Sequence, residues 1–183
     1  MPQRRSDSLR RRGPVREPYD RVLIVCEGSK TEPNYLTEFI RHHQLSSANI
    51  QIIGDGGSAP NSVVSYAIEL FDKDSDYDVV FCVFDRDGHT TFEQAVQRIR
   101  NKQLVRRQDR RMAGRARFEA IHSIPCFEYW VLLHFEYTTT HMARFADVDP
   151  RLRTHAAMSN YAKGRLDLYA QTRDRLQTAF SKC

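Results

Sequence analysis

"VVFCVFDRDGHT" (residues 79–90) joins six apolar residues to two acids, one residue apart, and a glycine. A continuous Val/Phe/Cys run bounded by turn residues predicts a strand buried on both faces, and such strands belong to parallel sheets covered by helices. The predicted strand spans 77–84, with Asp85 and Asp87 just beyond its carboxyl end.

Working outward from this strand, "RVLIVC" (21–26) is a second short β-branched run, followed by the turn "EGSK". Thr31 is a candidate N-cap, and Pro33, Tyr35, Leu36, Phe39 and Ile40 fit a helix over 31–43. "NIQII" (49–53) predicts a strand, the glycine-rich "GDGGSAPN" a loop, 61–73 a helix and about 91–103 another. "ARFEAIHSI" (116–124) contains a fourth strand, a helix opens at Pro125, and "NYAKGRLDLYAQTRDRLQTAFSKC" suggests a long closing helix. Strands alternating with helices predict an α/β fold: a mainly parallel four-stranded, Rossmann-like sheet flanked by helices, with a helical C-terminal extension. The predicted organisation is a basic arm over 1–17, an α/β domain over 18–140 and a helical extension over 141–183 packed on it.

The chain has 183 residues, 40% hydrophobic and 28% charged, as expected of a globular protein with a sizeable core. It shows neither an apolar run of membrane-span length nor a signal-peptide h-region, which predicts a cytoplasmic protein. The four cysteines are far apart and lack the spacing of a zinc site. The net charge of +5 is uneven: residues 1–17 carry six arginines against Asp7 and Glu17, and 106–117 carries six arginines against one aspartate. Such runs are either solvated tails and loops or phosphate-binding patches, with Arg106, Arg107, Arg110 and Arg111 as candidate nucleic-acid contacts in the second.

In open α/β sheets ligands collect beyond the carboxyl ends of the strands, where strand order reverses. Glu27 ends the first predicted strand, and Asp85 and Asp87 end the third. If these strands are neighbours, three carboxylates converge, and a divalent cation is the usual way to hold them together; oxygen-only ligands favour Mg²⁺ or Mn²⁺. Each residue has an ordinary reading as well. "DRDG" is good turn chemistry, and Glu27-Gly28 is an acceptable strand-to-helix turn. The joint placement favours a site. An EF-hand is excluded, since glycine is fourth rather than sixth in the loop. Glu128, in the first turn of the helix after strand four, is a candidate for a second metal position or simply a dipole-satisfying acid. Lys30 and His89 follow the acids closely enough in sequence to be candidate phosphate contacts, against the plainer readings of a solvated surface lysine and an ordinary loop histidine. "GDGGSAPN" lacks the Gly-Lys-Ser/Thr of a P-loop and reads as a flexible loop.

"VLIVCEGSKTEPNYL" followed by "DVVFCVFDRDGHTTF" resembles the Toprim domain, with its Glu-Gly after the first strand and Asp-x-Asp after the third. With "SIPCFEYWVLLHF" and "YAKGRLDLY", the chain from Arg21 to about Phe180 resembles the RloB-like family, Toprim proteins often found at restriction and phage-defence loci. The resemblance implies Glu27 as general acid/base or metal ligand and Asp85 and Asp87 as Mg²⁺ ligands. It further implies action on DNA or RNA, a possible defence-system partner protein, and additional family residues beyond Cys183. The expected function is therefore a Mg²⁺-dependent nuclease or related phosphodiester-processing enzyme. Two alternatives stay open: a haloacid-dehalogenase-like phosphatase with Asp85 as nucleophile, and a non-catalytic module that binds nucleic acid or a partner.

Overall fold

The computed structural model describes residues 19–108 and 111–182; the basic arm, Arg110 and Cys183 lie outside the described residues. Five strands form one sheet in the order β2-β1-β3-β5-β4. They are β1 Val22–Cys26, β2 Ile50–Ile53, β3 Val79–Asp85, β4 Leu104–Gln108 and β5 Arg111–Ser123. β2, β1, β3 and β5 run parallel, as expected from the strand–helix alternation, while β4 adds a fifth strand, antiparallel to β5 at the sheet edge. Residues 106–117, read from composition as a charged tail or loop, are thus largely strand.

The apolar runs of β1 and β3 occupy the middle of the sheet because both faces are covered. Leu23, Val25, Val80, Cys82 and Phe84 pack on one face against α2 (Pro60–Lys73) and α3 (Phe92–Asn101), which contribute Val63, Val64, Ala67, Phe71, Ala95 and Ile99. Ile24, Cys26 and Val83 face the other side, with Leu36 of α1 (Thr31–His42) against them. Each fully buried Val, Leu or Phe contributes roughly 1.5–3 kcal/mol relative to exposure, so these two strands are firmly anchored supports for a site at their ends.

The C-terminal half builds a second core. α4 (Phe127–Leu133), α5 (Phe145–Leu152) and α6 (Leu168–Thr172) gather Val131, Leu132, Val148, Leu152, Tyr161 and Tyr169 around Tyr35 and Phe39 of α1. The single long closing helix expected from the sequence is not formed. Gly164 takes φ +79, α6 gives way to a 3₁₀ turn at Arg173–Arg175, and α7 (Leu176–Phe180) follows. A left-handed glycine ends helical propagation and turns the segment back toward α1.

Charges at the amino ends of the strands neutralise one another. Arg21 pairs with Asp74 and Asp76 at 2.9 and 3.1 Å, and Arg106 of β4 pairs with Asp76 and Asp78 at 3.3 and 2.8 Å. Among the described residues no helix is long and apolar enough to cross a membrane.

Candidate active site

The strand order places β1 between β2 and β3, so successive crossovers leave β1 in opposite directions and open a crevice at the carboxyl ends of β1 and β3. Cys26 pairs with Val83, and the Glu27 amide donates to the Val83 carbonyl at 2.9 Å, extending the ladder one step beyond β1. This register brings Glu27 beside Asp85. The Asp85 backbone amide donates to Glu27 Oε2 at 3.1 Å, and His89 Nε2 stands 3.1 Å from Glu27 Oε1. Both oxygens of Glu27 are therefore held by the loop that ends β3.

That loop is itself pinned to the neighbouring strand. The Arg86 amide donates to Ser123 at 3.0 Å and the Asp87 amide to Pro125 at 2.9 Å. Gly88 has φ +78, a conformation glycine adopts without strain, and lets the chain turn so that the His89 amide meets the Arg86 carbonyl at 2.7 Å. "DRDG" is thus turn chemistry and site at once.

A cavity of about 330 Å³ lies over these strand ends, and Glu27, Asp85, Asp87, Lys30, His89 and Glu128 all line it. Four of the expected carboxylates meet there. Arg106 and Arg107 do not. Arg106 is a correction: its side chain is 7% exposed and spent on Asp76 and Asp78, which precede β3. That position is roughly 20 Å from Asp85, taking about 3.3 Å per strand residue. Arg107 is exposed on the edge strand, away from the cavity. Arg111 begins β5, and Arg110 falls outside the described residues.

Two charged lining residues escaped the sequence reading. Glu32, in the first turn of α1, is only 8% exposed, and burial raises its pKa, helped by Glu128 and Glu27. Lys163 arrives from the C-terminal segment and puts Nζ 3.6 Å from Glu128 Oε1. Glu128 is 1% exposed; its Oε1 accepts from the Tyr161 hydroxyl at 2.8 Å, and its Oε2 has no hydrogen-bond partner among the described residues. The glycine loop after β2 packs closely instead of opening toward the cavity. A Cβ on Gly54 would lie 2.7 Å from Ser29 Cα, and one on Gly56 would lie 2.8 Å from the Cys26 carbonyl.

The electrostatic outcome is most visible at Asp85. Burial, followed by the charges of Glu32, Glu128 and Glu27, pushes its carboxyl up to about 8, with the Phe127 amide partly offsetting them. A carboxyl so crowded takes up either a proton or a cation. The all-oxygen donor set, the unpartnered Glu128 oxygen and the crowding at Asp85 fit a hard divalent cation. As placed, no three Asp, Glu, His or Cys side chains among the described residues stand close enough to enclose an ion. Occupancy thus calls for side-chain rotation, for which exposed Asp87, whose carboxylate accepts from the Phe145 amide at a long 3.4 Å, has the freedom.

No curated protein and no solved structure matches the chain. The family model described as RloB-like protein matches residues 22–182, from the first residue of β1 to beyond α7, and thereby takes in every strand and every residue that lines the cavity. The chain belongs to the RloB-like family.

Proposed function

We propose that the chain is a Toprim-type nuclease, or a closely related phosphodiester-processing enzyme, dependent on Mg²⁺ or Mn²⁺ and acting on DNA or RNA. One observation carries the reading: Glu27 and Asp85 stand side by side on adjacent parallel strand ends, at the reversal of strand order, inside a cavity that adds Asp87, Glu32 and Glu128. Asp85, Asp87 and Glu128 would hold the cation, which would supply charge neutralisation at the phosphate undergoing displacement. Glu27 is oriented by the Asp85 amide and His89, and so can take a proton from the attacking water or return one to the leaving oxygen. Lys30, exposed at the cavity rim, contacts the flanking phosphate backbone. A role in cytoplasmic phage defence, with or without a partner protein, rests on the family resemblance alone.

The test is cleavage of end-labelled single- and double-stranded DNA and RNA in Mg²⁺, Mn²⁺ and EDTA, with wild type and Asp85→Asn. Cleavage abolished by EDTA and by the substitution supports the proposal. Undiminished cleavage by Asp85→Asn overturns it. Turnover of a small phosphomonoester with a trapped aspartyl-phosphate would transfer the site to the phosphatase class.

A further inference from the structure

The cavity is not built by the strand ends alone. The Gly164 amide donates to Thr31 Oγ1 at 3.0 Å, and Asn34 Nδ2 donates to the Gly164 carbonyl at 3.0 Å. Both backbone groups of Gly164 are therefore fastened to the first turn of α1, 130 or more residues earlier. The close approach needs a glycine, because a Cβ there would lie 2.9 Å from Lys30 Cβ, and the φ of +79 disfavours other residues. Thr31, expected to cap α1, is its first helical residue and serves this clamp; Lys30 occupies the cap position.

The clamp fixes where Lys163 goes. Its amine lies 3.9 Å from the centroid of the Phe145 ring, an arrangement that holds a cation over an aromatic face. At 3.6 Å from Glu128 Oε1 it is beyond the 2.7–2.9 Å of a charge-assisted hydrogen bond, whereas the Tyr161 hydroxyl donates to that oxygen at 2.8 Å. The side chain remains 53% exposed. Ammonium offers three donors, and Lys163 lines the cavity. His89 is engaged by Glu27, and Lys30, exposed, lines the same cavity beside Gly164.

We propose that Lys163 is a phosphate-binding residue of the site, supplied by the C-terminal segment and positioned by the Gly164 clamp and the Phe145 ring to grip the nucleic-acid phosphate that enters beside the carboxylates. This rests on the nuclease reading and deepens it. A phosphate approaching Glu27, Glu32, Asp85 and Glu128 meets net repulsion, and Lys163 provides a fixed positive charge on that path. The extension over 141–183 is then a wall of the site.

The test is fluorescence anisotropy of a labelled 20-nucleotide single strand and a labelled hairpin duplex, with Ca²⁺ replacing Mg²⁺, across a salt series. Full-length wild type, Lys163→Met and Lys163→Arg are compared, with melting curves for each. Lys163→Met is expected to weaken binding about tenfold, as loss of a charged hydrogen bond does. It should also flatten the slope of log K against log salt by about 0.7–0.9, as loss of one phosphate contact does; Lys163→Arg should restore both. Unchanged affinity and slope in Lys163→Met, with only a lowered melting temperature, would overturn the inference and leave Lys163 as a counter-charge to Glu128. A wild type that binds neither probe would overturn the nucleic-acid reading itself, and this inference with it.

Discussion

Replacing Asp85 by Asn should stabilise the metal-free protein at neutral and higher pH. Asp85 sits among Glu27, Glu32 and Glu128, and its carboxyl is pushed from an ordinary 3.8 up to about 8. Between about pH 4 and 8 the folded chain therefore keeps a proton that the unfolded chain has released. With more protons bound in the native state, stability falls as pH rises through that window, and the full loss is present above pH 8. At about 1.4 kcal/mol per pH unit the ceiling is about 5–6 kcal/mol. The cavity opens to water and Asp87 can move, so the realised loss is nearer 2–3 kcal/mol, or about 4–12 °C in melting temperature for a chain of this size. Asparagine keeps the shape of aspartate without the charge. In EDTA, melting temperatures from pH 5 to 8.5 should fall steeply for wild type and less for Asp85→Asn, in which buried Glu32 still takes up a proton more readily than an ordinary glutamate, with the curves diverging as pH rises. Mg²⁺ should raise the wild-type curve, by linkage to binding, and leave the variant unmoved. A wild-type curve without that decline, or an Asp85→Asn variant less stable than wild type at pH 8, would refute the electrostatic account of the site.

Arg106→Ala should destabilise the fold by about 1.5–3 kcal/mol, since it removes the charged hydrogen bonds to Asp76 and Asp78 while Arg21 still reaches both, and urea denaturation measures the loss. Nucleic-acid affinity of the folded fraction should be unchanged, in contrast with a surface arginine of a phosphate-binding patch. Tyr161→Phe removes the hydroxyl that satisfies Glu128 Oε1 and should cost about 1–3 kcal/mol of stability by the same assay.

The parts of the fold legible in the sequence are those fixed by local pattern. β1 and β3 are continuous apolar runs, and their ends are marked by Glu27-Gly28 and by Asp85 and Asp87, so the crevice and three of its acids could be placed before the tertiary arrangement was known. Glu128 was legible for the same reason, as the opening of the helix that follows the β5 strand end. Glu32 was not. An acid in a helix first turn ordinarily faces solvent and complements the dipole. It is buried among the strand ends and beside the Thr31–Gly164 clamp, a contact more than 130 residues distant in sequence. Lys163 depends on the same long-range contact; its one local signal is the Gly164 that follows it. Arg106 was misplaced by composition, which counts charge without direction. Two residues from buried Leu104 on β4, it shares that residue's face and points to the aspartates before β3. β4 itself was hidden because arginines interrupt its apolar alternation.

The central claim is that Asp85, Asp87 and Glu128, gathered beside Glu27 at neighbouring strand ends, hold a divalent cation. Titrating Mn²⁺ into the protein and following loss of the free-ion signal by electron paramagnetic resonance tests it directly. Wild type should remove Mn²⁺ from solution at near-stoichiometric protein, and the Asp85→Asn/Asp87→Asn double variant, folded by circular dichroism, should remove at least tenfold less at the same concentration. Equal Mn²⁺ uptake by the double variant, or none by wild type, would contradict the account.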